Sequence, residues 1–182
     1  FENKMQNQLP NSDFAVLYRT NAQSRSIEDA LRKRDIPYRI YGGLSFYQRK
    51  EIKDVLSYLR LIINPADEEA LKRVINYPAR GIGQTTMDRL VVAANSYGKT
   101  IFEVLQNIDQ LEINVNSGAR NKLRDFTTLI ESFQVMNQTA NAFELADHVV
   151  KASGVIRELN KDSTPEGVAR MENIEELLNG IK

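Results

Sequence analysis

The chain contains no cysteine and only one histidine among its 182 residues. The absence of cysteine excludes a disulfide framework, a thiolate nucleophile and a cysteine-ligated zinc site, and it suits a reducing, cytoplasmic location. No apolar run approaches the roughly 18 residues that a membrane-spanning helix needs. His148 has no second histidine or cysteine with which to share a metal ion, so we predict a structural role for it and no metal site.

Signatures of catalysis are also missing. The sequence has no GxxxxGK[ST] phosphate loop, no GxGxxG and no HExxH. Its acidic clusters "DEEA" and "IEEL" are typical of helix starts and solvated helix faces. We therefore expect no catalytic residue in this chain.

Charge is balanced overall but unevenly distributed. There are 24 basic and 24 acidic residues, of which 15 basic and 11 acidic residues lie in positions 1–90. Because cationic surface supplies the sequence-independent part of nucleic-acid binding, any nucleic acid is expected to meet the first half. The zero net charge and the acidic second half also fit a helical protein-interaction module that binds no nucleic acid.

The first forty residues follow a strand–helix–strand pattern. The run "DFAVLYR" (13–19) is apolar and branched, "SRSIEDALRKRD" (24–35) has helical spacing with Ser24 or Ser26 as N-cap, and "IPYRIYGG" (36–43) alternates. This pattern predicts a βαβ unit of a parallel sheet. One such unit needs neighbouring strands, and the first residue is Phe1, so we expect a piece of a longer protein.

From about Ser45 onward the apolar residues recur at helical spacing. The first helix is predicted to place Ile52, Val55, Leu56, Leu59 and Ile63 on one apolar face. Seven helices are predicted here, over 49–64, 67–77, 84 onward, 99–108, 117–137, 141–154 and 164–181, with Pro65 and Pro78 directly after the first two. The predicted fold class is mostly α: an all-α helical domain preceded by a βαβ fragment, with Gly42 and Gly43 between them.

The stretch "NYPARGIGQTT" (76–86) allows two interpretations. Gly81 and Gly83 can supply positive φ angles for a corner between two helices. They can equally let backbone approach a phosphate at the start of a helix, where unpaired N–H groups and a partial positive charge attract anions. In the second interpretation Thr85 or Thr86 adds a hydroxyl donor and Arg80 adds a charge.

The stretch "YRTNAQSR" (18–25) poses a similar choice. In open α/β sheets, ligands bind beyond the carboxyl ends of the strands. Five polar side chains of this stretch follow the first predicted strand, namely Arg19, Thr20, Asn21, Gln23 and Arg25. They either hold phosphates and base edges or form a solvated loop.

Three segments in order resemble a known family. "DFAVLYRTNAQSRSIEDAL…IPYRIYGG", "FYQRKEIKDVLSYLRLIINPADEEAL" and "INYPARGIGQTT" are similar to consecutive signatures of the PcrA/UvrD/Rep group of superfamily-1 DNA helicases. The match covers residues 13–90, and the helical remainder carries no further signature.

The resemblance implies a layout and an activity. Residues 1–43 would be the start of the second RecA-like motor domain (2A), and residues 44–182 the accessory domain (2B) inserted into it. The whole protein would be a helicase that uses ATP and Mg²⁺ and steps 3′ to 5′ in DNA repair or replication. The chain by itself would bind neither cofactor and would be inactive.

The resemblance also assigns residues. Arg19 and Asn21 match single-strand contacts, and Gly42 and Gly43 match a hinge. A duplex-contacting loop is matched by Arg80, Gly81, Ile82, Gly83, Thr85 and Thr86. Ala79 departs from the family by replacing a basic residue often found before the loop, which leaves Arg80 as the cation nearest in sequence.

The partners implied are a 3′-tailed DNA duplex and repair or replication proteins that switch the motor on, with no membrane. The equivalent piece of a related helicase–nuclease is a further alternative, because a nuclease domain would lie downstream in such a protein.

Overall fold

The structure is a computed structural model that describes residues 9–19, 23–41 and 45–182. Nine α-helices lie within these ranges: α1 Ser24–Arg32, α2 Lys50–Ile63, α3 Glu68–Val74, α4 Gln84–Tyr97, α5 Ile101–Gln106, α6 Ser117–Met136, α7 Ala142–Ala152, α8 Val155–Leu159 and α9 Pro165–Ile181. Two short 3₁₀ helices cover Asn11–Asp13 and Phe46–Gln48. The mostly-α fold class is confirmed.

All seven helices predicted after Ser45 are present, and α8 is an additional short helix that the periodicity did not predict. Local capping explains several boundaries. The Thr164 side chain accepts a hydrogen bond from the Gly167 N–H, and Pro165 occupies the first position of α9. Gly154 follows α7 with a φ of 87°, a conformation that glycine adopts without steric cost.

Helix α2 lies at the centre of the fold. It packs against α3, α6, α7, α9 and the 3₁₀ helix Phe46–Gln48. Its apolar face differs from the predicted one, because Tyr58 is fully buried in the core whereas Ile63 is 66% exposed. A tyrosine is buried here because its hydroxyl donates to the backbone carbonyls of Val74 and Tyr77.

The two predicted strands are not formed among the described residues. Residues 14–18 and 36–40 have no regular secondary structure, and no backbone hydrogen bond connects the two segments. Phe14, Val16 and Leu17 are exposed. A parallel strand exists only through its ladder to a neighbouring strand, and the apolar pattern that predicts a strand cannot supply that neighbour.

The N-cap predicted for α1 is also wrong. Gln23 occupies the N-cap position in a helical conformation, without a side-chain cap. Ser24 is instead buried, and its hydroxyl accepts a hydrogen bond of 2.8 Å from the Arg49 guanidinium. Ser24 and Arg49 lie 25 residues apart in the sequence. Because Arg49 is buried too, the Ser24 hydroxyl bonds to its guanidinium instead of capping α1.

Candidate nucleic-acid interface

The loop between α3 and α4 is held from beneath by two residues. The Asn76 carboxamide oxygen accepts the backbone N–H of Arg80 at 2.9 Å and that of Ile82 at 3.1 Å. The Ile82 side chain is 2% exposed and packs in the hydrophobic core. The loop therefore has a fixed shape, with Gly81 and Gly83 exposed on either side of the buried isoleucine.

The two glycines of the loop differ in what the fold requires of them. Gly81 has a φ of 70°, which L-residues rarely adopt, so the turn itself requires glycine there. Gly83 has φ −86° and ψ 172°, an extended conformation open to any residue. A Cβ added at Gly83 would meet nothing within 4 Å. The helix-corner interpretation thus requires glycine at position 81, whereas at position 83 it is satisfied by any residue that suits a helix N-cap, glycine among them.

Gly83 is the N-cap of α4 and leaves donors of the first turn unpaired. No side chain caps the helix. Within the described parts of the chain, no hydrogen bond takes up the backbone N–H groups of Gly83, Gln84 or Thr85. Thr85 is exposed and Thr86 is half-buried at the same end. Unpaired N–H groups and the positive end of the helix dipole favour an anion here.

Arg80 points into the protein rather than out of the loop. Its guanidinium donates to five oxygen atoms: the carbonyls of Val74 (3.0 Å), Ile75 (3.5 Å), Pro78 (3.3 Å) and Ser153 (3.1 Å), and the Tyr58 hydroxyl (2.7 Å). It also lies 5.4 Å from the Phe126 ring centroid. This geometry favours an internal role for Arg80, in place of the external charge expected from the sequence.

Lys122 of α6 is the cation that reaches the exposed side of the loop. Its ammonium group donates to the Gly81 carbonyl at 3.3 Å. A Cβ built on Gly81 would lie 2.5 Å from that nitrogen. Lys122 could not be assigned to the loop from the sequence, because 41 residues separate it from Gly81 and only the packing of α6 brings them together.

The described residues of the polar stretch at 18–25 do not converge on one side. The Arg19 side chain is exposed, and its backbone N–H donates to the Gln23 side chain at 2.9 Å. Asn21 and Thr20 lie outside the described residues. Arg25 instead reaches α9, where it donates to the carbonyl and carboxylate of Glu176, both at 3.1 Å. Arg25 therefore connects α1 to α9.

The predicted hinge residues Gly42 and Gly43 also lie outside the described residues. The segments on either side of them are joined through Glu28, whose buried carboxylate accepts from the Ser45 hydroxyl at 2.5 Å, the Phe46 N–H at 2.9 Å and the Tyr38 hydroxyl at 3.0 Å. Burial acts to raise the pKa of Glu28, but these hydrogen bonds outweigh it and hold the pKa below its ordinary value. The carboxylate is thus a charged anchor beside the predicted hinge.

Other classes of site find no support in the described ranges. His148 is exposed and lies edge-on to the Phe133 ring, at 5.7 Å between centroids. The described His, Asp and Glu side chains form no group of three or more that could hold a metal ion. None of the helices within those ranges has the length and apolar character needed to cross a bilayer.

Comparison with known proteins gives a consistent result. A family model described as the UvrD-like helicase C-terminal domain matches residues 1–182. The chain is 40% identical over 171 residues to the ATP-dependent DNA helicase PcrA of Leuconostoc citreum and to that of Bacillus subtilis, covering 94% of this chain and 23% of each relative. It is 42% identical over 170 residues to DNA helicase II of Haemophilus influenzae, covering 93% and 23%. The chain thus spans about a quarter of the length of these relatives, and the resemblance noted in the sequence is confirmed.

Proposed function

The chain belongs to the UvrD-like helicase C-terminal domain family, and from that premise we propose that it is part of an ATP-dependent, 3′-to-5′ DNA helicase of repair or replication. Residues 1–43 would begin the second motor domain, and residues 44–182 would form the accessory domain. Its partners would be a 3′-tailed duplex and repair or replication proteins, in the cytoplasm.

ATP and Mg²⁺ do not fit the residues of this chain. The sequence has no phosphate loop, and the described residues have no metal-holding group of acidic or histidine side chains. Both cofactors would belong to parts of the helicase outside these 182 residues. The chain alone is therefore proposed to be inactive and to contribute DNA contacts.

The loop around Gly83 is proposed to hold the phosphate backbone of the duplex ahead of the motor. The observation that carries this proposal is that the open space at Gly83 lies next to first-turn N–H groups of α4 that have no hydrogen-bond acceptor among the described residues. Gly81 and Ile82 shape the loop, while Thr85 and Thr86 supply hydroxyl donors. Backbone contacts of this kind hold a duplex without reading its bases.

The remaining site assignments rest on position within the family. Arg19 is exposed and is proposed, with Asn21, to contact the single strand. Gly42 and Gly43 are proposed as the hinge about which the accessory domain turns, because rotation requires a few backbone positions that tolerate large φ/ψ changes.

The second candidate function is a docking surface for proteins that regulate the motor. Its support is the acidic balance of residues 91–182, with 9 basic and 13 acidic residues, and the exposed side chain of Val92 on α4. Deleting residues 45–182 from the whole helicase tests both functions together. Unchanged unwinding and unchanged stimulation by partners would contradict both.

The decisive experiment is fluorescence anisotropy of the chain with a hairpin duplex that carries a 3′ tail, across a salt series. Phosphate contact predicts that log K falls linearly with log salt, with a slope of about −0.9 for each phosphate neutralised. The variants Gly81→Ala, Gly83→Ala and Thr86→Ala should each weaken this binding. Binding that ignores all three changes, or no binding at low salt, would refute the duplex-holding role.

A further inference from the structure

Two cationic side chains lie at the loop formed by residues 80–83. Arg80 belongs to the loop and points into the protein, whereas Lys122 reaches the loop from α6 on its exposed side. We infer that Lys122 of α6, rather than Arg80, supplies the positive charge that meets the duplex phosphate, while Arg80 positions the loop. The inference rests on the proposed duplex contact and adds a residue that belongs to neither the loop nor its helix.

Arg80 is unsuited to an external contact because the donors of both terminal nitrogens of its guanidinium already bond to internal oxygen atoms. Its two terminal nitrogens donate to five internal oxygen atoms, including the Tyr58 hydroxyl at 2.7 Å and the Ser153 carbonyl at 3.1 Å. Tyr58 is fully buried. Turning the guanidinium outward would leave these buried acceptors without a donor, which costs free energy for each group.

Arg80 also joins parts of the chain that are far apart in sequence. Ser153 lies 73 residues away, just after α7, and Val74 ends α3. By linking these elements, the guanidinium determines where the backbone of the loop runs. Arg80 is therefore a positioning residue.

Lys122 has the opposite character. Leu123 and Phe126, on the same helix, are buried in the core, so α6 holds the Lys122 backbone in place. The Lys122 side chain is exposed, and its ammonium makes a single hydrogen bond within the described residues, to the Gly81 carbonyl at 3.3 Å. An ammonium has three donors, so two remain for a phosphate oxygen or water.

The position of this ammonium complements the first turn of α4. It lies so close over Gly81 that a Cβ there would be 2.5 Å from it, and Gly83 follows two residues later. A phosphodiester seated at Gly83 would then meet N–H groups from α4 and a cation from α6. The acid one turn along α4, Asp88, accepts from the Gln84 side chain at 2.8 Å, and its negative charge works against phosphate binding, which makes a cation at this end of α4 the more important.

The test compares the salt dependence of hairpin binding in two charge-removing variants, Lys122→Gln and Arg80→Gln, and one charge-conserving variant, Lys122→Arg. Lys122→Gln should reduce the magnitude of the log K against log salt slope by about 0.9, so that its loss of affinity between about 50 and 200 mM salt is about 3.5-fold smaller than that of the parent chain. Lys122→Arg should restore the slope. Arg80→Gln should lower the melting temperature and weaken binding without changing the slope.

Lys99→Gln is the matched control, because it removes the same charge at the far end of α4. Lys99 follows the C-cap Gly98, and a 14-residue helix places it about 21 Å from the loop. This variant should keep the parental slope.

The outcomes separate the inference from the proposed function. If Gly83→Ala weakens binding but Lys122→Gln keeps the parental slope, Lys122 is not the phosphate cation and the duplex contact stands. If Arg80→Gln reduces the slope while its fold is intact, the roles of the two cations are reversed from those inferred here. If no loop variant changes binding, the proposed duplex contact itself is wrong.

Discussion

The substitution Gly83→Ser distinguishes the helix-corner interpretation of the loop from the phosphate-binding one. It should leave the stability of the fold unchanged or slightly higher, but it should weaken DNA binding. The backbone at Gly83 has an extended conformation that serine adopts readily, and a Cβ there meets nothing within 4 Å. Serine is a favoured N-cap residue whose hydroxyl accepts from the second or third N–H of a helix. In α4 these are the N–H groups of Thr85 and Thr86.

The expected change in stability is small and favourable. Glycine and serine differ as N-caps by only a few tenths of a kcal/mol. In a chain of this size, about 1 kcal/mol shifts the melting temperature by about 2–4 °C, so the melting temperature should stay constant or rise by about 1 °C.

The expected change in DNA binding is larger and unfavourable. The serine hydroxyl would take up a donor that the phosphate needs, and its side chain would occupy the open space above the loop. Losing one hydrogen bond to a charged group costs about 1.5–3 kcal/mol, which corresponds to about a 10- to 150-fold loss of affinity.

The assay pairs thermal unfolding, followed by circular dichroism, with hairpin anisotropy on the same samples. Gly83→Ala is the companion variant, because it fills the same space without an acceptor and should weaken binding while lowering helix stability slightly. A Gly83→Ser protein that melts normally and binds with parental affinity and salt slope would refute the phosphate assignment.

Three further predictions concern stability. Arg80→Gln should lower the free energy of unfolding by about 3 kcal/mol, the range for losing hydrogen bonds to a charged group in a buried setting, and calorimetry should show a melting temperature lower by about 6–12 °C. Gly167→Ala should destabilise the chain despite the better helix propensity of alanine, because the added Cβ would overlap the Asp162 backbone carbonyl. Gly118→Ala is the control, since its Cβ makes only ordinary contacts and should not destabilise the chain. Equal melting temperatures for the two variants would contradict the predicted overlap at Gly167. The pKa of Glu28 is lowered in the fold, so its stabilising effect is complete above its unfolded pKa and is lost as pH falls through the folded pKa. The difference in urea midpoint between the parent and Glu28→Gln should therefore shrink from about pH 6 to about pH 3, and a constant difference would count against the charged anchor.

Much of the helical framework could be predicted because its determinants are local. Apolar residues at helical spacing, such as Leu123, Phe126, Ile130 and Phe133 on α6, identify the buried face of a helix before any tertiary contact is known. The cap formed by Thr164 and Pro165 involves neighbouring residues only. The family resemblance likewise depends on the order and spacing of short segments, and comparison with relatives confirmed it.

Interactions between residues that are distant in the sequence could not be predicted from local spacing. The apolar run at 13–19 predicts a strand, but a strand needs a partner in register, and none forms among the described residues. Ile63 continues the helical pattern of α2, yet it is exposed while its neighbours Leu61 and Ile62 are buried, because packing against the other helices decides which side of α2 is covered.

The sequence by itself determined which segments after Ser45 form seven of the helices and which family this protein belongs to, because short-range spacing carries that information. Tertiary structure decided the character of the candidate site. It turned Arg80 inward onto Tyr58 and Ser153, brought Lys122 over Gly81, and gave positive φ to Gly81 but not to Gly83. Charge and glycine content are visible in a sequence, but the direction of a side chain depends on packing between residues that lie far apart along the chain.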